Sequence, residues 1–481
     1  MSRPAEVFET HVSIVMLLGD RAVKVKKPVR FSFIDLSTRE LRHAACVREV
    51  ELNRRLAPDV YLGVADVVGP DGVMCDHLVL MRRMPAERRL SSLARDGTVG
   101  DDEVAALARV LAAFHARADT SPLISASGRR DTVHERWEAG FAEMQPFLGA
   151  VIDPAVEQEI ERLTRRYLAG REPLFDARIA GSRIVDGHGD LLASDIFLLP
   201  DGPRVLDCLE FDDALRHGDV VADIAFLAMD LERVGAGALA ARFVAAYREL
   251  SGETHPSSLE HHYIAFRAHI RAKVACLRGD PYSGREARDL LDIALGHLRR
   301  GRVALTLVGG DPGSGKSTLA TGIADHFGWM VLHSDEVRKD LAGISHTART
   351  GGPVGGGIYD EETTAATYTE LLDRARLLLE LGESVVLDAT WSDTRFRAEA
   401  AALADSTWSD LEELRCEAPA AVRETRVVTR LRAGTDPSDA SVAVARALSA
   451  RAEPWPTATT IDTTHGIEPS LDAARTVLQP D

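Results

Sequence analysis

Residues 303–320 read VALTLVGGDPGSGKSTLA. An apolar run meets a glycine-rich turn and then a helix-forming stretch. Residues 310–317 match G-x-x-x-x-G-K-[ST] in the setting that pattern needs, after a strand and opening a helix. Gly310, Asp311, Pro312, Gly313, Ser314 and Gly315 turn backbone N–H groups towards phosphate oxygens, beside a helix N-terminus that favours anions. Lys316 is expected at the β- and γ-phosphates, Ser317 on Mg2+, and Thr318 next to them in the nucleotide cradle. Two further apolar runs, WMVLHSD (329–335) and SVVLDAT (384–390), flank a helical stretch at 361–381. This alternation predicts a parallel sheet flanked by helices. Asp388 ends the last of these strands, where a second Mg2+ anchor sits; a helix cap is the plainer use of such an aspartate.

The loop opens its own sheet on time, so the sequence ahead of it is a separate problem. A chain of 481 residues predicts two or three domains. At 45% hydrophobic and 27% charged it is globular in composition. The net charge of −17 argues against a broad nucleic-acid footprint. Five scattered cysteines, none in a C-x-x-C pair, argue against a zinc site or a disulfide framework and for a reducing compartment, so the expected location is cytoplasmic. Nothing at the N-terminus reads as a signal peptide, and no apolar stretch is long enough to span a membrane.

In the first half, HVSIVMLL and RAVKVKK read as a hairpin about Gly19-Asp20. A helix is expected over 37–56, capped by Ser37 with Glu40. HLVLMRRM at 77–84 reads as a strand, and 101–118, 154–170, 232–250 and 259–300 read as mostly helical. IFLL (196–199) and RVLDCLEF (204–211) read as short strands around a Pro-Asp-Gly turn. The acidic clusters around Asp190, Asp195 and Asp207 lie on or beside those strands, where they can converge on one Mg2+ pair. A domain boundary is expected at 299–302, giving a small lobe at 1–85, a large lobe at 86–299 and a third domain at 300–481.

Which chemistry the second half performs turns on HSDEVR (333–338), 19 residues after Lys316 counted to Asp335. A carboxylate at the C-terminal edge of the sheet can accept a hydroxyl proton during phosphoryl transfer. Asp335 as a mere helix cap is the competing use. SDEVRKDLAG (334–343) and LDATW (387–391) resemble the P-loop kinases related to phage polynucleotide kinase and the zeta-toxin sugar-nucleotide kinases. That resemblance implies Asp335 as general base, Arg338 as substrate clamp, and a lid helix carrying arginines. Arg423, Arg426, Arg430 and Arg432 fit the lid; Arg426 and Arg430 share a helix face, which is otherwise a solvated face. GGPVGGG (351–357) reads as a loop near the substrate.

VDGHGDLLASDI (185–196) followed by VLDCLEF (205–211) resembles the catalytic and metal loops of aminoglycoside phosphotransferases and choline kinases, over about residues 1–299. The resemblance implies a two-lobed, protein-kinase-like α+β fold, with Asp190 as general base and Asp195 and Asp207 as Mg2+ ligands. It also implies a strand lysine paired with Glu49 on the next helix to orient the phosphates. Lys24 and Lys26 face the same side of their strand, so spacing does not choose; the expectation is set on Lys24. Asp219 and Asp223 are expected to brace the catalytic loop. Glu210, Asp212 and Asp213 suit recognition of an amine, with a solvated loop as the plainer reading. Two departures stand out: Asp195 replaces the usual asparagine, and no G-x-G-x-x-G covers the first hairpin. The whole chain resembles a fusion of a phosphotransferase-like domain with a P-loop kinase domain. The expected activity is ATP- and Mg2+-dependent phosphorylation of hydroxyls on small molecules, in the sugar, amino-sugar or nucleotide class. The alternatives are a P-loop kinase controlled by a ligand-sensing pseudokinase, or an ATPase with no acceptor.

Overall fold

The computed structural model describes residues 6–10, 12–31, 34–346, 357–433, 446 and 449–479. The chain forms two compact units. The first comprises residues 1–160, 175–255 and 259–297; the second comprises 161–174, 256–258 and 298–481.

The first unit begins with a five-stranded antiparallel sheet. Its strands are β1 (Glu6–Glu9), β2 (Ser13–Leu18), β3 (Arg21–Lys26), β4 (Tyr61–Val68) and β5 (Met74–Arg82), in the order β1-β2-β3-β5-β4. The predicted hairpin is present: Leu18 pairs with Arg21, and Gly19 takes φ +61° in the turn. Helix α1 (Arg39–Asn53) packs on this sheet around Cys46, Val50, Tyr61 and Val79. Its cap differs from the expected one. Thr38, not Ser37, accepts the Leu41 N–H at 3.3 Å, while Ser37 bonds Asp35. Strand β4 was hidden in the sequence by a register shift at Gly63, which breaks the alternation.

The rest of the first unit is mostly helical. It contains α2 (Asp101–His115), α3 (Arg130–Met144), the start of α4 (Pro154–Ala169), α5 (Val220–Arg233), α6 (Gly237–Ser251), α7 (Ser257–Arg278) and α8 (Ser283–Arg300). Two small antiparallel pairs carry the chemistry. β6 (Ile184–Asp186) pairs with β9 (His217–Asp219), and β7 (Ile196–Leu199) pairs with β8 (Gly202–Val205). β8 stops at Val205, so Asp207 lies beyond the strand and not on it. It adopts φ +62°, a left-handed conformation that costs a non-glycine residue about 1–3 kcal/mol and marks functional sites. Beneath these strands Arg178 grips both oxygens of Asp219, at 2.8 and 2.7 Å, and also meets Glu253; all three are buried. Arg178→Ala would strand two buried carboxylates. It is expected to destabilise the protein by about 3–5 kcal/mol in urea titrations, as breaking a buried pair does, with Arg178→Lys losing less.

The second unit is built on a five-stranded parallel sheet. Its strands are β10 (Ala304–Gly309), β11 (Met330–His333), β12 (Val385–Asp388), β13 (Asp410–Glu417) and β14 (Thr459–Asp462), in the order β11-β12-β10-β13-β14. Helices α9 (Lys316–Phe327), α10 (Ser334–Leu341), α11 (Glu361–Glu380), α12 (Thr394–Ser406), α13 (Ala420–Ala433) and α14 (Ile467–Leu478) accompany it. β10 is buried along its whole length, as a central parallel strand must be. Val308, Leu319, Ile323, Val386, Leu414 and Ile461 form the core under the phosphate loop. Among the described residues no helix is long and apolar enough to cross a membrane.

Candidate active sites

In the first unit the loop after β6 carries His188, Gly189 and Asp190. Asp223, in the first turn of α5, fixes its backbone, accepting the N–H groups of His188 at 2.6 Å and Gly189 at 2.9 Å. Only glycine fits at 187, because a Cβ there would lie 2.3 Å from Asp223 Oδ2. Burial opposes the charge on Asp223, but His115, Arg267 and His188 hold its pKa well below the usual range. Burial pushes His188 down to about 4, so its ring is neutral. Its Nε2 faces the Leu206 carbonyl at 3.1 Å and its Nδ1 faces the Asp190 N–H at 3.4 Å. A neutral ring with its proton on Nε2 satisfies both. The sequence expectation that Asp223 braces this loop is met by these bonds; Asp219 acts lower down, capping α5 at the Val221 N–H.

The N–H of Leu206, the residue before Asp207, donates to the Asp195 carbonyl at 2.9 Å. Burial raises the Asp195 pKa, and the carboxylates of Asp207 and Asp190 raise it further. Burial likewise lifts Asp190 to about 6, with Asp207 adding to the rise and Arg271 and Arg267 opposing it. Asp207 goes the other way, lowered chiefly by Lys24. Lys24 Nζ sits 2.7 Å from Asp207 Oδ1 and 2.9 Å from Glu49 Oε1. Asp207 has 49% of its side chain reached by solvent, whereas Glu49 has none.

Both lysines left open by spacing meet Glu49. Lys26 lies 2.5 Å from Glu49 Oε2 and also binds Glu210, with no exposed surface of its own. Lys24 is therefore the one beside Asp207, and Lys26 is a buried bridge. Sequence reasoning missed the bridge, because Glu210 lies 184 residues from Lys26. The acidic residues read as an amine site are already engaged: Glu210 with Lys26, Asp213 with Arg216 and Arg48, and Asp212 as the cap on Ala214.

In the second unit the loop has the conformation its glycines allow. Gly313 and Gly315 take φ +81° and +95°. A Cβ at Gly313 would meet the Arg423 carbonyl at 2.5 Å. Lys316 opens α9 and makes no hydrogen bond or ion pair among the described residues. Asp388 neighbours both Val308 and His333 across the sheet, and His333 Nδ1 lies 2.8 Å from its Oδ2. Burial works against the Asp388 charge, but Lys316, His333 and Ser317 lower its pKa. Its Oδ1 and the Ser314 hydroxyl are buried without hydrogen-bond partners. A buried carboxylate oxygen of Asp388, close to the Ser317 hydroxyl and the Lys316 ammonium, fits a hard cation carrying phosphate oxygens. Among the described residues no group of three or more His, Cys, Asp or Glu forms a metal cage.

The arginines of α13 are placed otherwise than a free lid face would be. Arg423 pairs with Asp311 of the loop. Arg426 reaches the Gly313 and Ser314 carbonyls at 3.5 and 3.4 Å and the Thr463 carbonyl at 2.7 Å. These two therefore buttress the loop from behind. The side chains of Arg430 and Arg432 and residues 351–356 of the predicted loop lie outside the described residues. Asp335 stands half-buried in the first turn of α10, two residues past His333. Arg338 is buried on the same helix, donating to the Ile358 carbonyl at 3.0 Å and to the Thr364 hydroxyl at 3.2 Å, with Tyr359 across its face. A cavity of about 940 Å3 adjoins the loop, lined by Asp311, Pro312, Trp391, Arg423, Trp455 and Asp462 among others.

Two family profiles match the chain: the phosphotransferase enzyme family over residues 23–260 and an AAA domain over residues 305–455. The uncharacterized protein Rv2004c of Mycobacterium tuberculosis is 44% identical over 472 residues, spanning 98% of this chain and 94% of its own. The chain belongs to this family of phosphotransferase–AAA fusions. The uncharacterized protein Mb2027c of Mycobacterium bovis, with the same identity and coverage, is another fusion-family relative. Among solved structures, a choline/ethanolamine kinase family protein from Mesorhizobium loti is 14% identical, with 62% of this chain and 92% of that one covered at TM-score 0.40. An APS kinase of Mycobacterium tuberculosis is 20% identical, with 37% and 99% covered at TM-score 0.29. Those scores are too low for either likeness to bear on function. The fusion protein is a phosphotransferase enzyme with a kinase-type module in each half.

Proposed function

We propose that each half is an ATP- and Mg2+-dependent kinase acting on a hydroxyl of a small molecule, in the cytosol. The observation that supports this is that Lys24 joins Glu49 to Asp207, with Asp195 and Asp190 close enough to Asp207 for its charge to raise their pKa values. Mg2+ there would be held by Asp207 and Asp195, and in the second unit by Ser317 and Asp388. Mg2+, when bound by these residues, would supply neutralisation of the charge that develops on the transferring phosphoryl group. Lys24 and Lys316 would orient the phosphates, and the cavity beside the second loop has the size of a nucleotide pocket.

Asp190 would take the proton of the acceptor hydroxyl in the first site. A pKa near 6 lets it be ionised at neutral pH yet remain a useful base. Asp335 would do the same in the second, with Arg338, held by the Ile358 carbonyl and the Thr364 hydroxyl, as the clamp on the acceptor. Asp335→Asn is expected to slow transfer from the second site about 100-fold. ATP affinity should be unchanged in equilibrium binding; loss of ATP binding instead would show that Asp335 is part of the nucleotide cradle.

A second reading is that the first unit is a ligand-sensing pseudokinase controlling the P-loop kinase. Asp195 favours it, because a carboxylate in place of the asparagine cannot donate a hydrogen bond and adds charge to an acidic cluster. Asp195→Asn separates the two. A pseudokinase gains no transfer from it, whereas a working site changes its Mg2+ dependence.

A further inference from the structure

The walls around Asp190 are cationic. On α7, Tyr263, Arg267 and Arg271 are spaced four apart and so share one helix face. Arg267 Nη1 lies 3.5 Å from the Gly189 carbonyl, the residue before Asp190, and its Nε donates to the Ala222 carbonyl at 3.1 Å. It lies flat over Phe226, 4.7 Å from the ring centre, with Asp223 4.0 Å away. That guanidinium is fixed in place. Arg136, from α3, approaches the same cluster and is held by the Ala214 carbonyl at 3.0 Å and the His217 carbonyl at 3.3 Å. Arg136 makes no ion pair with a carboxylate among the described residues. Arg271 is half-buried and makes no hydrogen bond or ion pair among the described residues, yet it is the strongest cationic neighbour of Asp190.

Arg271 and Arg267 thus stand beside one candidate base, with Arg136 next to Arg267; Arg267 has Asp223 at 4.0 Å, and Arg271 has no ion pair among the described residues. The carboxylates that would greet an amine are engaged elsewhere, with Glu210 on Lys26 and Asp213 on Arg216. Guanidinium forks match the oxygens of phosphate esters and carboxylates, and a half-buried one left without a partner costs desolvation that such a ligand would recover.

We infer that the acceptor of the first site is anionic, a hydroxyl compound bearing a phosphate ester or a carboxylate, received by Arg271 with Arg267 and Arg136 behind it. This rests on the kinase reading of that site and reverses the expectation of an amine-bearing acceptor. The negative group would sit beside α7 while its hydroxyl points at Asp190. The arginine charges then offset the repulsion between an anionic acceptor and the surrounding aspartates.

The test uses the full chain carrying Lys316→Ala, so that the second loop contributes little phosphate binding. Calorimetry with inorganic phosphate and with malonate reads the site without requiring turnover. Both anions are expected to bind, and adding Arg271→Gln is expected to weaken them at least tenfold, the value of a charge-assisted bond. Arg271→Lys should retain part of the affinity. Absence of anion binding, or binding untouched by Arg271→Gln, overturns the inference. A transfer assay with matched acceptors, ribose against ribose 5-phosphate, glycerol against glycerate and glucose against glucosamine, separates it from the kinase reading. Preference for the anionic member, with Arg271→Gln raising KM and sparing kcat, supports the inference. Preference for the neutral or amine member sinks it while leaving the kinase reading intact. Anion binding with no Asp190-dependent transfer to any acceptor sinks the kinase reading instead.

Discussion

Lys316→Ala is expected to cut phosphate transfer from the second site about 1,000-fold, the upper range for losing one preorganised charge at the reacting group. Lys316 opens α9 with no hydrogen bond or ion pair among the described residues, and its charge acts on Asp388. Removing it therefore leaves the loop standing on Arg423, Arg426 and Thr463. The melting temperature should barely move, while ATP turnover by the second unit falls. A variant that binds and turns over ATP normally would show that the loop is not a phosphate site. Arginine at 316 should not rescue, since its fork needs more room than the point charge of lysine.

Asp190→Asn carries the second large effect, a fall of about 1,000-fold in transfer from the first site, within the range for a lost general base. The side chain is isosteric and the loop is fixed through His188, Gly189 and Asp223, so folding should be preserved. The pH profile gives an independent reading. Burial raises the Asp190 pKa from its ordinary value to about 6. The base form is therefore lost as pH falls through 6, and kcat/KM should drop about tenfold per unit below it. The sign for stability is opposite: a carboxyl that ionises with more difficulty in the folded state favours folding at low pH. That contribution fades as pH rises from about 4 to about 6. Asp223, with its lowered pKa, works the other way and loses its stabilising charge only in strong acid.

Both sites were legible in the sequence wherever the chemistry is local. A strand, a glycine loop and a helix start fall within one run at 303–320, and the observed β10, loop and α9 follow it. His188, Gly189 and Asp190 likewise lie on one turn. What lay hidden depends on distant contacts. α5 has almost every residue buried, so it lacks the polar face that would have announced a helix. The four-residue spacing of Arg426 and Arg430 places them on one face but does not tell what that face meets; for Arg426 it is the back of the phosphate loop. Lys24 and Lys26 are equal by alternation, and only the fold of α1 and the chain after β8 brings Asp207 to one and Glu210 to the other. Residues 161–174, read as part of the first half, group with the second unit, and no local feature of that stretch signals it.

Two independent kinase sites in one chain would show in mass-resolved phosphate transfer across a panel of hydroxyl acceptors. The full-length protein is compared with Asp190→Asn, Lys316→Ala and the double variant. The account predicts two classes of phosphorylated product, one lost with each single substitution and both lost in the double. If Asp190→Asn leaves every product at its original rate, the first site is not a kinase and the account fails.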